Sequence, residues 1–202
     1  MISPIIVLGN PRSGTSLIMA LLQRAGAWVG TCNPGNAKYP SGTLENIHLR
    51  RAMGQMFKPA IVSNSNPFES RDAWVRVASN IIVKDGYNGG PWAVKHSLRF
   101  WPAWVPFQPK WVLTRRHHLD ILKGLRRKGN TRPDKLILER LKWNEEQLDR
   151  VDMRYQALNV YSDKMIHGNE AALKELLSFT GLNCDVTDIM EVVRPELWGR
   201  AI

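Results

Sequence analysis

The residues best placed to do chemistry stand in the stretch GNPRSGTS, Gly9 to Ser16. Gly9 and Gly14 let the backbone approach a ligand closely. The peptide N–H groups from Ser13 to Ser16 open a helix, where the dipole favours an anion, so the stretch is a candidate phosphate site. An ATP- or GTP-binding loop of this spacing carries a lysine that reaches the terminal phosphates, then a Ser or Thr that holds magnesium. Here Thr15 stands where the lysine belongs, and only the hydroxyl of Ser16 is kept. Arg12 instead offers a planar, permanently charged fork two residues before Gly14. An arginine-centred loop of this kind suits an anion other than a magnesium-bound nucleoside triphosphate.

The elements around the loop must hold it open. Ile5 to Leu8 reads as a buried strand, and Leu17, Ala20, Leu21 and Ala25 share one face of a helix capped by Ser13 or Thr15 and closed by Gly26. A Gly/Asn/Pro-rich loop leads to a second helical pattern from Leu44 to Met56, and RDAWVRVASNII reads as a third. PWAVK and KWVLT are short, Val- and Trp-rich and bounded by turn residues, as buried strands are. A long helix with Pro133 in its first turn, a strand at LNVYS and a helix NEAALKELLSFT closed by Gly181 complete the pattern. The tail after Cys184 carries no signal. Alternation of strand and helix predicts a single α/β domain over residues 1–202, a three-layer sandwich with a mainly parallel central sheet.

Composition narrows the function classes. With 44% hydrophobic and 23% charged residues the chain is ordinary globular material without repeats. Its apolar start is too short for a signal peptide or a membrane span. Cys32 and Cys184 make neither a disulfide framework nor a metal-ligand pattern, and a reducing cytoplasm is the expected compartment. The net charge of +10 points to an anionic partner. Basic residues crowd Arg115 to Lys128 with no aromatic among them, which argues against single-stranded nucleic acid.

The stretch NPRSGTSL resembles the sulfotransferase family, whose loop reads Pro-(Lys/Arg)-Ser-Gly-Thr-(Thr/Ser) and binds the 5′-phosphosulfate of 3′-phosphoadenosine 5′-phosphosulfate (PAPS). SGTLENIHLRR, WAVKHSLRFWPAW, VLTRRHHLDILKGLRRKG and VYSDKMIHGNEAALKELLSFTGL are similar, in the family's order, to its later segments. The resemblance spans about Ile5 to Leu182, with the first and fourth segments the most specific. It implies a P-loop-like, phosphosulfate-binding loop and PAPS as donor substrate. Arg12 would neutralise the bridging oxygen as the sulfuryl group leaves, while Ser13, Gly14, Thr15 and Ser16 hold the 5′-phosphate. The transfer needs no metal, because the sulfuryl group carries less charge than a phosphoryl. The expected acceptor is a small molecule or glycan that the sequence does not name, in a pocket shaped by the loops Gly30 to Ser41 and Ser63 to Arg71.

A hydroxyl or amine acceptor must lose a proton, so a base is needed. Glu45 matches the family's glutamate, 33 residues after Arg12 and at a helix start, where its charge also complements the dipole. His48, one turn on, is the second candidate. Arg116 matches an arginine that grips the 3′-phosphate, but Gly124 stands where the family has a serine, so its backbone N–H, or Lys123 or Arg127, would have to serve. His117 and His118 lack the company of a metal site. Lys95 and Arg99 follow a strand end, where ligands enter such sheets, although both also fit plain surface charge. Asn144 and seven tryptophans, Trp28, Trp74, Trp92, Trp101, Trp104, Trp111 and Trp143, read as core. Competing functions are a nucleotide kinase with a degenerate loop, and a relic of the fold that binds nucleotide or nucleic acid without catalysis.

Overall fold

The apolar run at the start forms strand β1, Ile5–Gly9, and both of its faces are buried. A computed structural model describes residues 2–34, 42–63 and 71–193, by backbone alone at 58–63 and 71. After β1 come α1 (Thr15–Arg24), α2 (Ile47–Ser63), α3 (Arg71–Lys84) and β2 (Ala93–Lys95). The short turns Leu98–Phe100 and Val105–Phe107 flank α4 (Trp101–Trp104). β3 (Lys110–Arg115), α5 (His118–Arg127), α6 (Asp134–Tyr155), β4 (Leu158–Tyr161), α7 (Ser162–Ile166), α8 (Glu170–Thr180) and α9 (Val186–Met190) follow.

The four strands form one parallel sheet in the order β2-β1-β3-β4. Side chains alternate across a strand, so Ile5 and Val7 join a core with α1, α8 and α9 while Ile6 and Leu8 join another with α2, α3 and α6. Helices thus cover both faces, as expected of an α/β sandwich. Trp74, Trp92, Trp104 and Trp111 are fully buried in the second core. Edge-on pairs such as Trp74 with Trp104, 5.4 Å between centroids, contribute roughly 0.5–1.5 kcal/mol each beyond the area they bury.

Several boundaries differ from the sequence reading. α1 is capped by Gly14 in a left-handed conformation, φ 101°, with no side-chain cap from Ser13 or Thr15. α2 starts at Ile47 because the Asn46 side chain accepts from the N–H groups of His48 (3.1 Å) and Leu49 (2.9 Å), so Glu45 lies just outside the helix. Pro133 occupies the cap of α6 rather than its first turn. α9, in the tail that carried no signal, is capped by Asp185, whose carboxylate accepts from Thr187 N–H at 2.8 Å. Trp143 is not core: it is 48% exposed. Among the described residues no helix is long and apolar enough to cross a membrane.

β2 lies beyond β1 and β4 beyond β3, so the chain leaves the two central strands toward opposite edges of the sheet. Between β1 and β3 the connections diverge, which opens a crevice at the carboxyl edge, the usual ligand position in open parallel sheets. The loops that begin at Asn10 and Arg116 flank that crevice.

Candidate active site

The loop from Gly9 to Ser16 is fastened from beneath and left open above. Ser13 is fully buried, its hydroxyl 2.7 Å from that of Thr114, and its N–H donates to Asn10 O at 3.0 Å. A side chain at Gly9 would collide with those two hydroxyls, and one at Gly14 with the Ser162 side chain, so both positions require glycine. Arg12 sits at φ 70°, left-handed backbone that disfavours an L residue by about 1–2 kcal/mol. The buried Asn10 accepts from Asn144 Nδ2 at 2.6 Å and donates to Glu145 Oε2 at 3.3 Å, which pins the loop to α6.

Above the loop lies a cleft of about 300 Å³. Arg12, Thr15 and Ser16 line it from β1–α1, Glu45 from the approach to α2, Lys95 to Arg99 from the end of β2, and Arg140, Trp143 and Asn144 from α6. Among the described residues, four cationic side chains, Arg12, Lys95, Arg99 and Arg140, thus line the cleft with one carboxylate, Glu45. The first-turn N–H groups of α1, which have no partner inside a helix, add partial positive charge at the same place.

Lys95 is the most constrained of the four. It is 7% exposed; its ammonium donates to Ser16 Oγ at 3.0 Å and to Thr43 O, and lies 3.7 Å from Glu45 Oε1. Burial holds its pKa below the ordinary lysine value, against the opposing pull of Glu45 and Cys32. Glu45 Oε2 also meets Arg50 Nη1 at 3.5 Å. Beside Lys95, His96 accepts from Ser97 N–H at Nδ1, and burial lowers its pKa to about 4. The imidazole is therefore neutral with its proton on Nε2, which has no partner among the described residues.

The expected 3′-phosphate residues lie on the β3 side, outside this cleft. Arg116 Nη1 donates to Arg12 O at 3.3 Å and its Nη2 meets Asp163 at 3.2 Å. Gly124 is buried under the Arg12 stem, and a Cβ there would stand 3.5 Å from Arg12 Cβ, ordinary contact. The rest of the basic run is engaged locally or exposed. Arg115 pairs with Glu145 and, at 2.8 Å, Asp149; Arg126 pairs with Asp134; Lys123 lies 3.8 Å from Asp120; and Arg127 is exposed.

The structure therefore brings Arg12, Thr15, Ser16 and Glu45 into one cleft and puts Arg116 and Gly124 next to it, behind Arg12. It does not bring His48 in: the imidazole points to Asp85, 3.9 Å away. Hydrogen bonds from Thr31 and Asn46 hold Asp85 below the usual carboxylate range, although burial pulls the other way. Ser13 serves the loop's own packing through both its hydroxyl and its N–H. Arg140 and Trp143 were missed from the sequence. The available signal was helical spacing, because Arg140 is a surface neighbour of both Trp143 and Asn144, the polar member of an otherwise apolar stripe. Of the loops expected to shape an acceptor pocket, 35–41 and 64–70 lie outside the described residues, as does the tail from 194. Among the described residues no cluster of His, Cys, Asp and Glu is arranged to hold a metal. No family model and no curated protein matches the chain.

Proposed function

We propose that this protein is a PAPS-dependent sulfotransferase that moves a sulfuryl group to a hydroxyl or amine, with Gly9 to Ser16 as its P-loop-like phosphosulfate-binding loop. The observation that carries the reading is the contact of Lys95 with Ser16. In a magnesium-dependent loop of this spacing the hydroxyl at position 16 holds the metal. Here that hydroxyl accepts from an ammonium fixed on β2. A cation of fixed position in the metal's place, with Arg12 beside it, fits transfer of a group that carries less charge than a phosphoryl. It weighs against the degenerate kinase.

The roles follow from the geometry. The N–H groups of Thr15 and Ser16 hold the 5′-phosphate, and Arg12 and Lys95 face the charge that grows on the bridging oxygen as the S–O bond breaks. Glu45, the cleft's only carboxylate among the described residues, takes the proton from the acceptor as its oxygen or nitrogen bonds to sulfur. Adenosine 3′,5′-bisphosphate is the leaving product. Its 3′-phosphate lies toward Arg116, where Gly124 supplies no hydroxyl.

Calorimetry with adenosine 3′,5′-bisphosphate, AMP and ATP–magnesium tests the reading. The bisphosphate should bind most tightly, and Gly124→Ser, which the space beside Arg12 admits, should tighten it further. Preference for ATP–magnesium would return the kinase. Equal affinity for the bisphosphate and AMP would mean that 3′-phosphate recognition is lost, and would favour a non-catalytic binding protein.

A further inference from the structure

We infer that the acceptor bears a carboxylate or similar anion on a ring, with Arg99 and Arg140 holding the anion and Trp143 covering the ring face; this rests on the sulfuryl-transfer reading. Arg12 divides the carboxyl edge of the sheet. Arg116 leans on its carbonyl from the β3 side, and the nucleoside end of the donor belongs there. Arg99, Arg140 and Trp143 lie on the other side, in the cleft that holds Glu45.

These two arginines differ from those of the basic run. Both are exposed, and among the described residues neither has an ion-pair partner. Glu45, the cleft's one carboxylate among the described residues, is engaged by Lys95 and Arg50. The backbone that carries Arg99 and Arg140 is nevertheless held in place. α6 packs on the Leu98–Phe100 turn that carries Arg99 and is tied to the loop through Asn144 and Asn10. Arg140 and Trp143, three residues apart on that helix, are neighbours on its surface. An indole 48% exposed beside two unneutralised guanidinium groups offers a flat apolar face with a planar, bidentate anion reader at its edge. An anionic acceptor approaching an anionic donor is repelled, and two additional cations on the acceptor side offset that repulsion.

Calorimetry with matched probes separates the two sources of such a ring. Methyl β-glucuronide is compared with methyl β-glucoside, and 4-hydroxyphenylacetate with its methyl ester, each with and without saturating adenosine 3′,5′-bisphosphate. At least one acid should bind about tenfold or more tightly than its neutral partner, as a charge-assisted hydrogen bond provides. The pair that shows the preference identifies the ring as sugar or aromatic. Arg99→Ala and Arg140→Ala should each remove that preference and change bisphosphate affinity less than twofold, and Trp143→Ala should weaken acid and neutral probes alike. Equal binding of acid and neutral partners, no saturable binding of either acid, or arginine variants that lose the bisphosphate instead would overturn the inference. If wild-type protein fails to bind the bisphosphate, the sulfuryl-transfer reading fails alone; the acid preference measured without it still decides the ligand class.

Discussion

Two regions of this molecule are rich in positive charge, and they use it in opposite ways. In the run Arg115 to Lys128 the cations are clustered in sequence and several are answered in space: Arg115 by three carboxylates of α6, Arg116 by Asp163, Arg126 by Asp134. In the cleft, Arg12, Lys95, Arg99 and Arg140 come from the β1–α1 loop, the end of β2 and α6, and among the described residues the lining holds one carboxylate, Glu45. Charge density along the chain is therefore a poor guide to the charge a ligand meets. Glu145, Asp149 and Asp152, one or two helical turns apart on α6, answer Arg115, and Asp163 and Asp134 answer Arg116 and Arg126, whereas the loop, the end of β2 and α6 bring four cations to a lining with Glu45 as the carboxylate among the described residues.

The sharpest test of that contrast is Glu45. Glu45→Gln should slow sulfuryl transfer by about 10²–10⁴-fold while adenosine 3′,5′-bisphosphate binding stays nearly intact, whereas Arg12→Ala should weaken both; single-turnover assays with labelled PAPS and calorimetry separate the two effects. Full activity in Glu45→Gln with loss in His48→Ala would move the base to His48, against its position beside Asp85.

A second test adds charge to the cleft by pH. His96 titrates at about 4 in the native protein against an ordinary 6.5. The unfolded chain therefore binds the proton first, and the stability that the neutral imidazole contributes is complete above pH 6.5 and lost as pH falls toward 4. The loss should reach roughly 3 kcal/mol, read as a falling urea midpoint, and His96→Gln should flatten the profile over that window. An unchanged slope in the variant would show that another group drives the acid loss.

On the other side of the comparison, Arg115→Met should destabilise the fold by roughly 2 kcal/mol, because it strands carboxylates that are themselves partly solvated. Thermal denaturation measures this, and bisphosphate affinity should not change. The smallest effect belongs to Lys123→Ala. With its side chain 76% exposed, this change should alter stability by less than about 0.5 kcal/mol and leave binding untouched. A tenfold loss of bisphosphate affinity there would break the contrast, since the run would then feed the site directly.

What was legible in the sequence is local. A four-residue apolar run between turn residues must be a buried strand. The apolar face of Leu17, Leu21 and Ala25 predicts the helix that follows, although its cap is Gly14 and not the expected Ser13 or Thr15. The spacing Gly9 to Gly14 with Arg12 between them marks the loop. Strand and helix alternation predicts the parallel sheet, because parallel neighbours need crossovers. Such features depend on near neighbours in the chain, and the folded structure keeps them with boundary shifts of a few residues.

The charge balance and the membership of the cleft depend on tertiary contacts. Nothing near Lys95 in sequence foretells that its ammonium reaches Ser16, 79 residues away. Nothing near Trp143 foretells that α6 turns this ring toward the cleft while Leu141 and Leu148 enter the cores. His48 shares a helical turn with Glu45 on paper, yet Asn46 caps α2 between them and Asp85 takes the imidazole. Ser13 belongs to the loop motif, yet Thr114 on the neighbouring strand takes its hydroxyl. In each case a partner distant in sequence determines where the side chain points, and only the packing of strands and helices brings that partner within reach.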